Sequence, residues 1–382
     1  MHVLLFAGRF LPDVGGMEYV VHYLAEALVD AGVEVTVLAN RTKTPGGPEH
    51  RYRLIRYGLL FRGAMRSGLF RLSVSRTLSK LQREHPVDIV NFHGVARAPF
   101  WGLSFFERRS IPSVMTPHGK DVQRFPDIGY GLRLEPEWNA RIEDHLQRAN
   151  AVTAISESIR GELDCVAPER VHIVPNGIHR QRFTRNPSTF LHDRVGVPHD
   201  TRFVVSVGRD HIKKAYADGI HAFAPLLGDP RFDDVHYAII GRGVSSHAML
   251  VSELGLDGRV HLVEEVASHE VAESFNSACL FFSPSIVEGL SLVSIEAMAC
   301  GLPLVVTDVP GNADVVRANG CGLLVPVRDL DAMGEAIGAL LSNEHLRSEL
   351  AEIAWQRSDD YDWSAIARRY LEVYASLLGE AD

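Results

Sequence analysis

The fold of this chain is decided by residues 283–299, which read Ser283-Pro-Ser-Ile-Val-Glu-Gly-Leu-Ser-Leu-Val-Ser-Ile-Glu-Ala-Met-Ala. The apolar block at 279–283 predicts a strand, the segment around Glu288 and Gly289 predicts a turn, and a helix is expected to begin near Ser291. Open parallel sheets bind ligands where a strand ends and a helix begins, because the free N–H groups of the helix attract anions. Glu288 and Glu296 frame this junction. They indicate a ligand with hydroxyls on both sides of an anion, such as a sugar nucleotide with its diphosphate.

The rest of the chain alternates short apolar blocks with stretches of helical period, which is typical of parallel sheets covered on both faces. In the first half we predict strands at 3–7, 33–39, 89–92, 114–116 and 151–155, with helices at 16–30, 69–84, 100–108, 138–149 and 157–163. The series restarts after Pro175-Asn-Gly, with strands at 203–207, 237–240, 260–263, 280–283, 304–306 and 323–325. The expected fold class is α/β, with two doubly wound, Rossmann-like domains facing across a cleft.

The length also predicts two domains, because 382 residues exceed the roughly 250–300 at which a single core stops growing. We place the N-terminal domain at 1–178 and the C-terminal domain at 179–360. The polar segment 181–200 is broken by Pro187 and Pro198, which suits a linker. The last predicted helix, 361–379, carries Trp363, Ile366, Tyr370 and Val373 on one face.

The composition is that of a globular protein, with 46% hydrophobic and 23% charged residues and a net charge of −9. Four widely separated cysteines indicate a reducing compartment and no zinc site. No stretch reaches the roughly 20 apolar residues that a membrane-spanning helix needs. We therefore expect a cytoplasmic protein with no nucleic-acid partner.

Two loops in the first half carry candidate site residues. Gly15 and Gly16 follow the first strand and open the first helix, where the lack of a side chain lets a phosphate approach the backbone; an ordinary strand–helix turn is the alternative. His118 lies in the loop Thr116-Pro-His-Gly-Lys-Asp after a later strand, at the predicted carboxyl edge of the sheet. The long connection that follows, 121–136, is a candidate selector of the second substrate.

Three loops in the second half extend the candidate site. Arg209 follows a strand end directly after a glycine, and Lys214 is close enough in sequence to reach the same diphosphate; a solvated surface pair is the alternative. Gly241 follows the next strand and would permit packing against a flat base or ribose. Near Val266, after a further strand, a backbone edge can pair with a base.

Taken together, these motifs resemble the retaining family-4 glycosyltransferases of GT-B architecture in order and spacing, over nearly the whole chain. The residues that carry the resemblance are Gly15-Gly16, His118-Gly-Lys-Asp, Pro175-Asn-Gly-Ile, Gly208-Arg209 with Lys214, and Glu288-x7-Glu296. The resemblance implies that the C-terminal helix crosses back onto the N-terminal domain. It also implies a nucleoside-diphosphate sugar as donor, with uridine favoured, and no cofactor or metal.

The resemblance further implies a role for each residue. Glu296 would hold the ribose, while Glu288 and the amides that follow it would hold the donor sugar and the diphosphate. Arg209 and Lys214 would stabilise the leaving diphosphate, and Gly16 would close over it. His118 would lie beside the anomeric carbon. The expected catalytic residues are His118, Glu288, Arg209 and Lys214, and the expected donor contacts are Gly15, Gly16, Arg209, Lys214, Gly241, Val266, Glu288, Gly289, Leu290, Ser291, Leu292 and Glu296.

The acceptor is expected to bind the N-terminal domain, and Lys120, Asp121 and Tyr130 are the candidate contacts. A run from Arg51 to Arg83 contains nine basic residues and no acidic one. It suits peripheral contact with the inner membrane face and a lipid-linked acceptor; a solvated helix face and a soluble small acceptor are the alternatives. A nucleotide-sugar epimerase of the same architecture and a non-catalytic sugar-nucleotide sensor remain alternative functions.

Overall fold

The computed structural model describes residues 1–13, 15–44, 46–58, 68–264, 266–267 and 269–379. The chain divides into two compact units, which we call the first and the second unit. The first unit comprises Met1–Gly177 and Trp363–Asp382, and the second comprises Ile178–Asp362. The limits predicted from the sequence, 1–178 and 179–360, differ from these by one residue at one junction and two at the other. Both units are doubly wound α/β structures, as predicted.

The first unit is built on a seven-stranded parallel sheet in the order β3-β2-β1-β4-β5-β6-β7. The strand order reverses between β1 and β4, which pair in register up to their last residues, Ala7 and His93. The loops that follow such a pair leave toward opposite faces of the sheet, and the crevice between them is of the kind that binds ligands. The inner strands are fully buried, because helices cover both faces. The strands are β1 (His2–Ala7), β2 (Glu34–Asn40), β3 (Arg53–Tyr57), β4 (Ile89–His93), β5 (Ser113–Thr116), β6 (Ala151–Ala154) and β7 (Val171–Ile173).

The helices of the first unit are α1 (Gly16–Asp30), α2 (Gly68–Glu84), α3 (Arg97–Glu107), α4 (Pro136–Arg148), α5 (Glu157–Gly161) and the C-terminal α14 (Trp363–Leu378). Helix α14 buries Trp363, Ile366, Tyr370 and Val373, so the predicted apolar face is correct. Gly177 is needed where the chain leaves this unit, because a Cβ there would come within 2.5 Å of the Trp363 ring.

The second unit has a six-stranded parallel sheet in the order β10-β9-β8-β11-β12-β13, and it reverses between β8 and β11. Its strands are β8 (Arg202–Val207), β9 (Val235–Ile240), β10 (Val260–Val263), β11 (Leu280–Ser283), β12 (Leu304–Thr307) and β13 (Gly322–Val325). Its helices are α6 (Phe190–Val195), α7 (Tyr216–Phe223), α8 (Ala248–Glu253), α9 (Glu270–Asn276), α10 (Leu292–Ala299), α11 (Asn312–Asn319), α12 (Leu330–Ser342) and α13 (Glu344–Arg357). Every strand predicted for this half is present.

Two sequence interpretations were wrong. Residues 181–200 are not a linker, because they contain α6 and place Phe183 and Leu191 in the core of the second unit. The stretch looked polar because only a few of its side chains face inward. Strands β3 and β7 were missed because they form the two edges of the first sheet, where half-exposed positions tolerate residues such as Arg53 and Arg56.

The described residues of the basic run 51–83 are divided between the region of β3 and helix α2. Its first arginines belong to the region of β3 and pair with acids: Arg51 lies 2.6 Å from Glu26, and Arg53 lies 2.9 Å from Glu34. Residues 59–67, which include Arg62 and Arg66, lie outside the described part of the chain. Helix α2 carries the rest. It buries Phe70, Val74, Leu78 and Leu81 and exposes Arg71, Leu72, Arg76 and Lys80, which we call the outer face of α2.

None of the helices in the described ranges combines the length and the hydrophobicity that crossing a bilayer requires.

Candidate functional site

The loops after β8 and β11 meet at the switch point of the second unit, and they carry a cluster of three charges. The Nζ atom of Lys214 donates a hydrogen bond of 2.7 Å to Oε1 of Glu288. The Nζ atom of Lys213 lies 3.5 Å from the other carboxylate oxygen, Oε2. The backbone carbonyl of Lys213 also accepts a 2.8 Å hydrogen bond from the N–H of Ile286, which holds the two loops together. The fold therefore brings Lys214 and Glu288 into direct contact.

Glu288 is an ionised, buried carboxylate. Its side chain is 8% exposed, and Ser285 Oγ donates a further hydrogen bond of 3.2 Å to Oε1. Burial acts to raise the pKa of Glu288, but the charges of Lys214 and Lys213 and the two hydrogen bonds outweigh it, so the net pKa lies below the ordinary value. One negative and two positive charges leave the cluster with a net charge of +1. The cluster is therefore suited to receive an anion.

Helix α10 begins directly after this cluster with no side-chain cap. The hydroxyl of Ser291 accepts a 2.7 Å hydrogen bond from Ser294 Oγ and does not bind a backbone N–H of the first turn. The start of a helix carries a partial positive charge and unpaired N–H donors, which favour an anion. Gly289, Leu290, Ser291 and Leu292, all predicted donor contacts, form the segment between Glu288 and this helix start.

Glu296 lies in the second turn of α10 and is distinct from the Glu288 cluster. It is half-buried, and its carboxylate has no hydrogen bond to a described residue. Burial raises its pKa to about 7, and the charge of Arg182 opposes this shift. A half-buried carboxylate with unused acceptor capacity can receive the two hydroxyls of a sugar ring.

Glycines bring the loops of the second unit close together. Gly241 has a φ of +149°, and a Cβ there would lie 2.1 Å from the carbonyl oxygen of Gly208, so the loops after β8 and β9 touch. Gly311, with a φ of +85°, packs on the turn at Glu288, and a Cβ there would lie 2.8 Å from the carbonyl carbon of Gly289. Gly311 was not predicted as a site residue, although Pro310-Gly-Asn after a strand end was a visible turn signal.

Two predicted donor contacts are less well defined. The side chain of Arg209 is exposed and forms no hydrogen bond or ion pair with a described residue, so the fold does not bring it into the Glu288 cluster. Val266 is half-buried and packs against the core. Its neighbour Glu264 accepts hydrogen bonds of 2.9 and 3.0 Å from the N–H groups of Gly243 and Ser245, which closes the loop after β9 onto that after β10.

In the first unit, His118 follows β5 and lies beside a second histidine that ends β4. Nε2 of His118 is 3.1 Å from Nδ1 of His93, and the two rings are stacked with 5.4 Å between centroids. Burial lowers the pKa of His118 to about 4, and burial together with the charge of a protonated His118 holds the pKa of His93 well below its ordinary value. Both rings are therefore neutral near pH 7. His93 was missed because the strand Ile-Val-Asn-Phe-His gave no signal beyond its position at a strand end.

The acceptor candidates are placed unevenly. Asp121 is buried, and its two oxygens accept hydrogen bonds from the N–H groups of His118 (2.9 Å) and Val95 (3.1 Å). Its carboxylate therefore holds the His118 loop in place, which favours a structural role. Lys120 is exposed, and its ammonium lies 5.8 Å from the ring centre of the half-buried Tyr130, so these two side chains form one patch.

The start of α1 is partly filled by its own side chain. A Cβ at Gly15 would lie 2.3 Å from Oε2 of Glu18, whose carboxylate folds back onto the helix start and accepts a hydrogen bond from its own N–H. A Cβ at Gly16 would meet no atom within 4 Å. The space beside Gly16 is therefore open to a ligand, whereas Gly15 accommodates Glu18.

The models of two protein families match consecutive parts of this chain. "Glycosyltransferase Family 4" matches residues 14–182, and "Glycosyl transferases group 1" matches residues 188–357. The chain is 27% identical to phosphatidyl-myo-inositol mannosyltransferase of Mycolicibacterium smegmatis, over 96% of this chain and 91% of that protein. It is 29% identical to D-inositol 3-phosphate glycosyltransferase of Frankia alni, over 97% and 96% of the two chains. In fold it resembles Anabaena Alr3699/HepE, solved in complex with UDP, with a TM-score of 0.81, 18% identity and coverage of 98% and 100%.

Proposed function

Because this chain belongs to the family-4 glycosyltransferases of GT-B architecture, we propose that it transfers a hexose from a nucleoside-diphosphate sugar, with UDP favoured, to a hydroxyl acceptor with retention of configuration. The observation that carries this proposal is the cluster of Glu288, Lys214 and Lys213 at the uncapped start of α10. A buried cluster with a net positive charge at a strand–helix junction suits a diphosphate that carries a polyhydroxylated group.

The chemistry proposed for the cluster is stabilisation of the leaving diphosphate. As the glycosidic C–O bond breaks, negative charge grows on the phosphate oxygens, and fixed cations stabilise that charge more in the transition state than in the ground state. Lys214, Lys213 and the N–H groups at the start of α10 supply this positive potential, and Arg209 adds an exposed guanidinium from the loop after β8. In this proposal these groups stabilise the negative charge on the phosphate oxygens without a divalent metal. The acceptor hydroxyl passes its proton to the departing phosphate oxygen.

Glu288 has two roles in this proposal. Without donor it neutralises Lys214 through the 2.7 Å hydrogen bond. When the diphosphate binds the two lysines, the carboxylate of Glu288 accepts hydrogen bonds from the hydroxyls of the transferred sugar instead. Glu296, half-buried and without a hydrogen bond to a described residue, accepts the ribose hydroxyls.

His118 contributes a neutral imidazole in the first unit, because its pKa of about 4 keeps it uncharged at physiological pH. We assign it a hydrogen bond to a hydroxyl of the transferred sugar. Gly16 leaves open space at the start of α1 for the approach of the donor.

The acceptor is proposed to bind the first unit. The names of these two relatives specify acceptors that carry an inositol ring and a phosphate: phosphatidyl-myo-inositol for one and D-inositol 3-phosphate for the other. We propose for this chain a small or lipid-linked polyhydroxylated acceptor, selected by the loop 121–136 with Lys120 and Tyr130. A lipid-linked acceptor would be reached by peripheral contact with the membrane through the outer face of α2.

The test is a panel of UDP-, GDP- and ADP-sugars, with release of nucleoside diphosphate followed in the presence of EDTA. Slow hydrolysis of one donor, and faster release with an acceptor, supports transfer. Conversion into another sugar nucleotide would show epimerisation, and tight binding without turnover would show a sensor. The anomeric configuration of the product, read by proton NMR, tests retention.

Two variants separate the proposed roles. Glu296→Ala should weaken donor binding, whereas His118→Ala should lower turnover with a smaller loss of binding. The reverse result would show that the roles are misassigned.

A further inference from the structure

We propose that His93 is a positioning residue that fixes the tautomer of His118, so that His118 presents an Nδ1–H donor to the substrate and has no free Nε2 lone pair. The inference starts from the histidine pair at the carboxyl ends of two neighbouring strands. His93 is the last residue of β4 and pairs in register with Thr116 of β5. Thr116 precedes His118 by two residues. His93 is 1% exposed, so the fold holds its ring.

The 3.1 Å contact between His93 Nδ1 and His118 Nε2 allows only two arrangements. Both rings are neutral at physiological pH, because burial lowers both pKa values. A neutral imidazole carries one hydrogen, so exactly one of the two facing nitrogens must donate. Either His93 donates from Nδ1, or His118 donates from Nε2.

The far side of His93 distinguishes the two arrangements. Nε2 of His93 is buried and has no hydrogen-bond partner among the described residues. If His118 donated, that nitrogen would have to carry the hydrogen and leave a buried N–H without an acceptor. If His93 donates, the same nitrogen keeps only an unused lone pair. Buried N–H groups without an acceptor are rarer in proteins than under-used acceptors, so the second arrangement is favoured.

The favoured arrangement determines what His118 can do. Its Nε2 accepts from His93, and its hydrogen therefore sits on Nδ1, for which the described residues provide no hydrogen-bond partner. His118 is then a hydrogen-bond donor toward a hydroxyl or ring oxygen, and its Nε2 cannot serve as a base. The backbone N–H of His118 donates a hydrogen bond to Asp121, which fixes the loop so that the imidazole ring keeps this direction. The part of this inference that concerns catalysis rests on the proposed function.

The tautomer of His118 can be measured in the full chain by NMR, without an assay of enzyme activity. Long-range proton–nitrogen correlation spectra of ¹⁵N-histidine-labelled protein distinguish Nδ1–H from Nε2–H rings, and the His118→Gln spectrum assigns the signal among the 18 histidines. We expect Nδ1–H for His118 in the wild type. In His93→Leu, which removes the donor, we expect the Nε2–H form that free histidine prefers. In His93→Asn, whose amide nitrogen replaces the Nδ1 donor, we expect Nδ1–H again.

Turnover should follow the tautomer. We expect kcat to fall roughly three- to tenfold in His93→Leu, the equivalent of one neutral hydrogen bond, and to recover in His93→Asn with little change in KM. His236→Leu is the matched control, because it breaks a second stacked histidine pair, in which His236 Nδ1 lies 2.8 Å from His261 Nε2 in the second unit. It should leave the His118 signal unchanged.

An Nε2–H ring for His118 in the wild type would overturn the inference, as would an unchanged tautomer in folded His93→Leu. If His93→Leu does not fold, the wild-type and His93→Asn spectra decide it. A chain that turns over no nucleotide sugar would refute the proposed function, and the tautomer measurement would still stand or fall by itself.

Discussion

Replacing Glu288 with glutamine should make the protein bind UDP more tightly while weakening its use of a UDP-sugar. In the wild type, the 2.7 Å hydrogen bond from Lys214 to Glu288 competes with any diphosphate for the same ammonium group. Glu288→Gln keeps the shape of the side chain and removes its charge. The local charge then rises from +1 to +2, since Lys213 and Lys214 remain.

The magnitude follows from the burial of the pair. A hydrogen bond between charged groups contributes about 1.5–3 kcal/mol. Exposure of only 8% for Glu288 and 13% for Lys214 means that solvent screens this bond less than a surface pair. Since only part of the bond is exchanged on binding, we take the lower end, about 1.5 kcal/mol, which corresponds to roughly tenfold tighter UDP binding. A UDP-sugar should show no such gain, because it loses the carboxylate that holds its hydroxyls.

The assay is isothermal titration calorimetry with UDP on the wild type, Glu288→Gln and Lys214→Met, with Lys214→Met expected to bind more weakly than the wild type. Glu352→Gln is the control, because Glu352 is exposed and pairs with Arg185 at 2.6 Å on the surface of the same unit. Thermal unfolding shows whether each variant is folded, and the two unneutralised lysines should lower the stability of Glu288→Gln unless UDP is added. Equal or weaker UDP binding by folded Glu288→Gln would refute the competition between Glu288 and the diphosphate.

Three further outcomes are expected. Donor affinity should fall about tenfold between pH 8 and pH 6, because protonation of Glu296 around its pKa of about 7 removes the anionic acceptor, and Glu296→Gln should flatten this titration. Gly311→Ala should lower the unfolding free energy by about 1–3 kcal/mol and weaken UDP binding, since a Cβ there would press on the turn at Glu288; intact UDP affinity would contradict this. Changing the outer face of α2 to serine at Arg71, Arg76 and Lys80 should weaken the binding constant for anionic vesicles, measured by sedimentation, about a hundredfold. Arg53→Ser should leave it unchanged, because Arg53 is already paired with Glu34. Equal pelleting of all proteins would reject membrane contact.

The sequence predicted most reliably what local patterns encode. The central strands of both sheets are runs of buried apolar residues, so their positions and the doubly wound class followed from periodicity alone. The edge strands β3 and β7 did not, because a half-exposed strand lacks that run. The segment 181–200 was misread for a related reason: tertiary burial of Phe183 and Leu191 outweighs a polar average composition.

The sequence could place site residues only where a loop directly follows a predicted strand. Glu288 and Lys214 were placed in one site because both follow predicted strand ends and match motifs of one family, and the fold joins them. The participation of Lys213 and Gly311 was not visible, because it depends on side-chain direction and on contact between distant loops. The same holds for the pairing of His93 with His118, which only the register of β4 and β5 brings about.

The order of the chain has a consequence for synthesis. The second unit is one uninterrupted segment, Ile178–Asp362, whereas the first is completed only by α14. A ribosome therefore releases every residue of the second unit before it delivers Trp363 to the surface formed by Gly177 and Tyr23. Until that moment the nascent first unit exposes the apolar surface that Trp363, Ile366 and Tyr370 will cover, and exposed apolar surface favours aggregation. A premature stop before Trp363 would thus damage the unit that begins the chain and spare the one that precedes the stop.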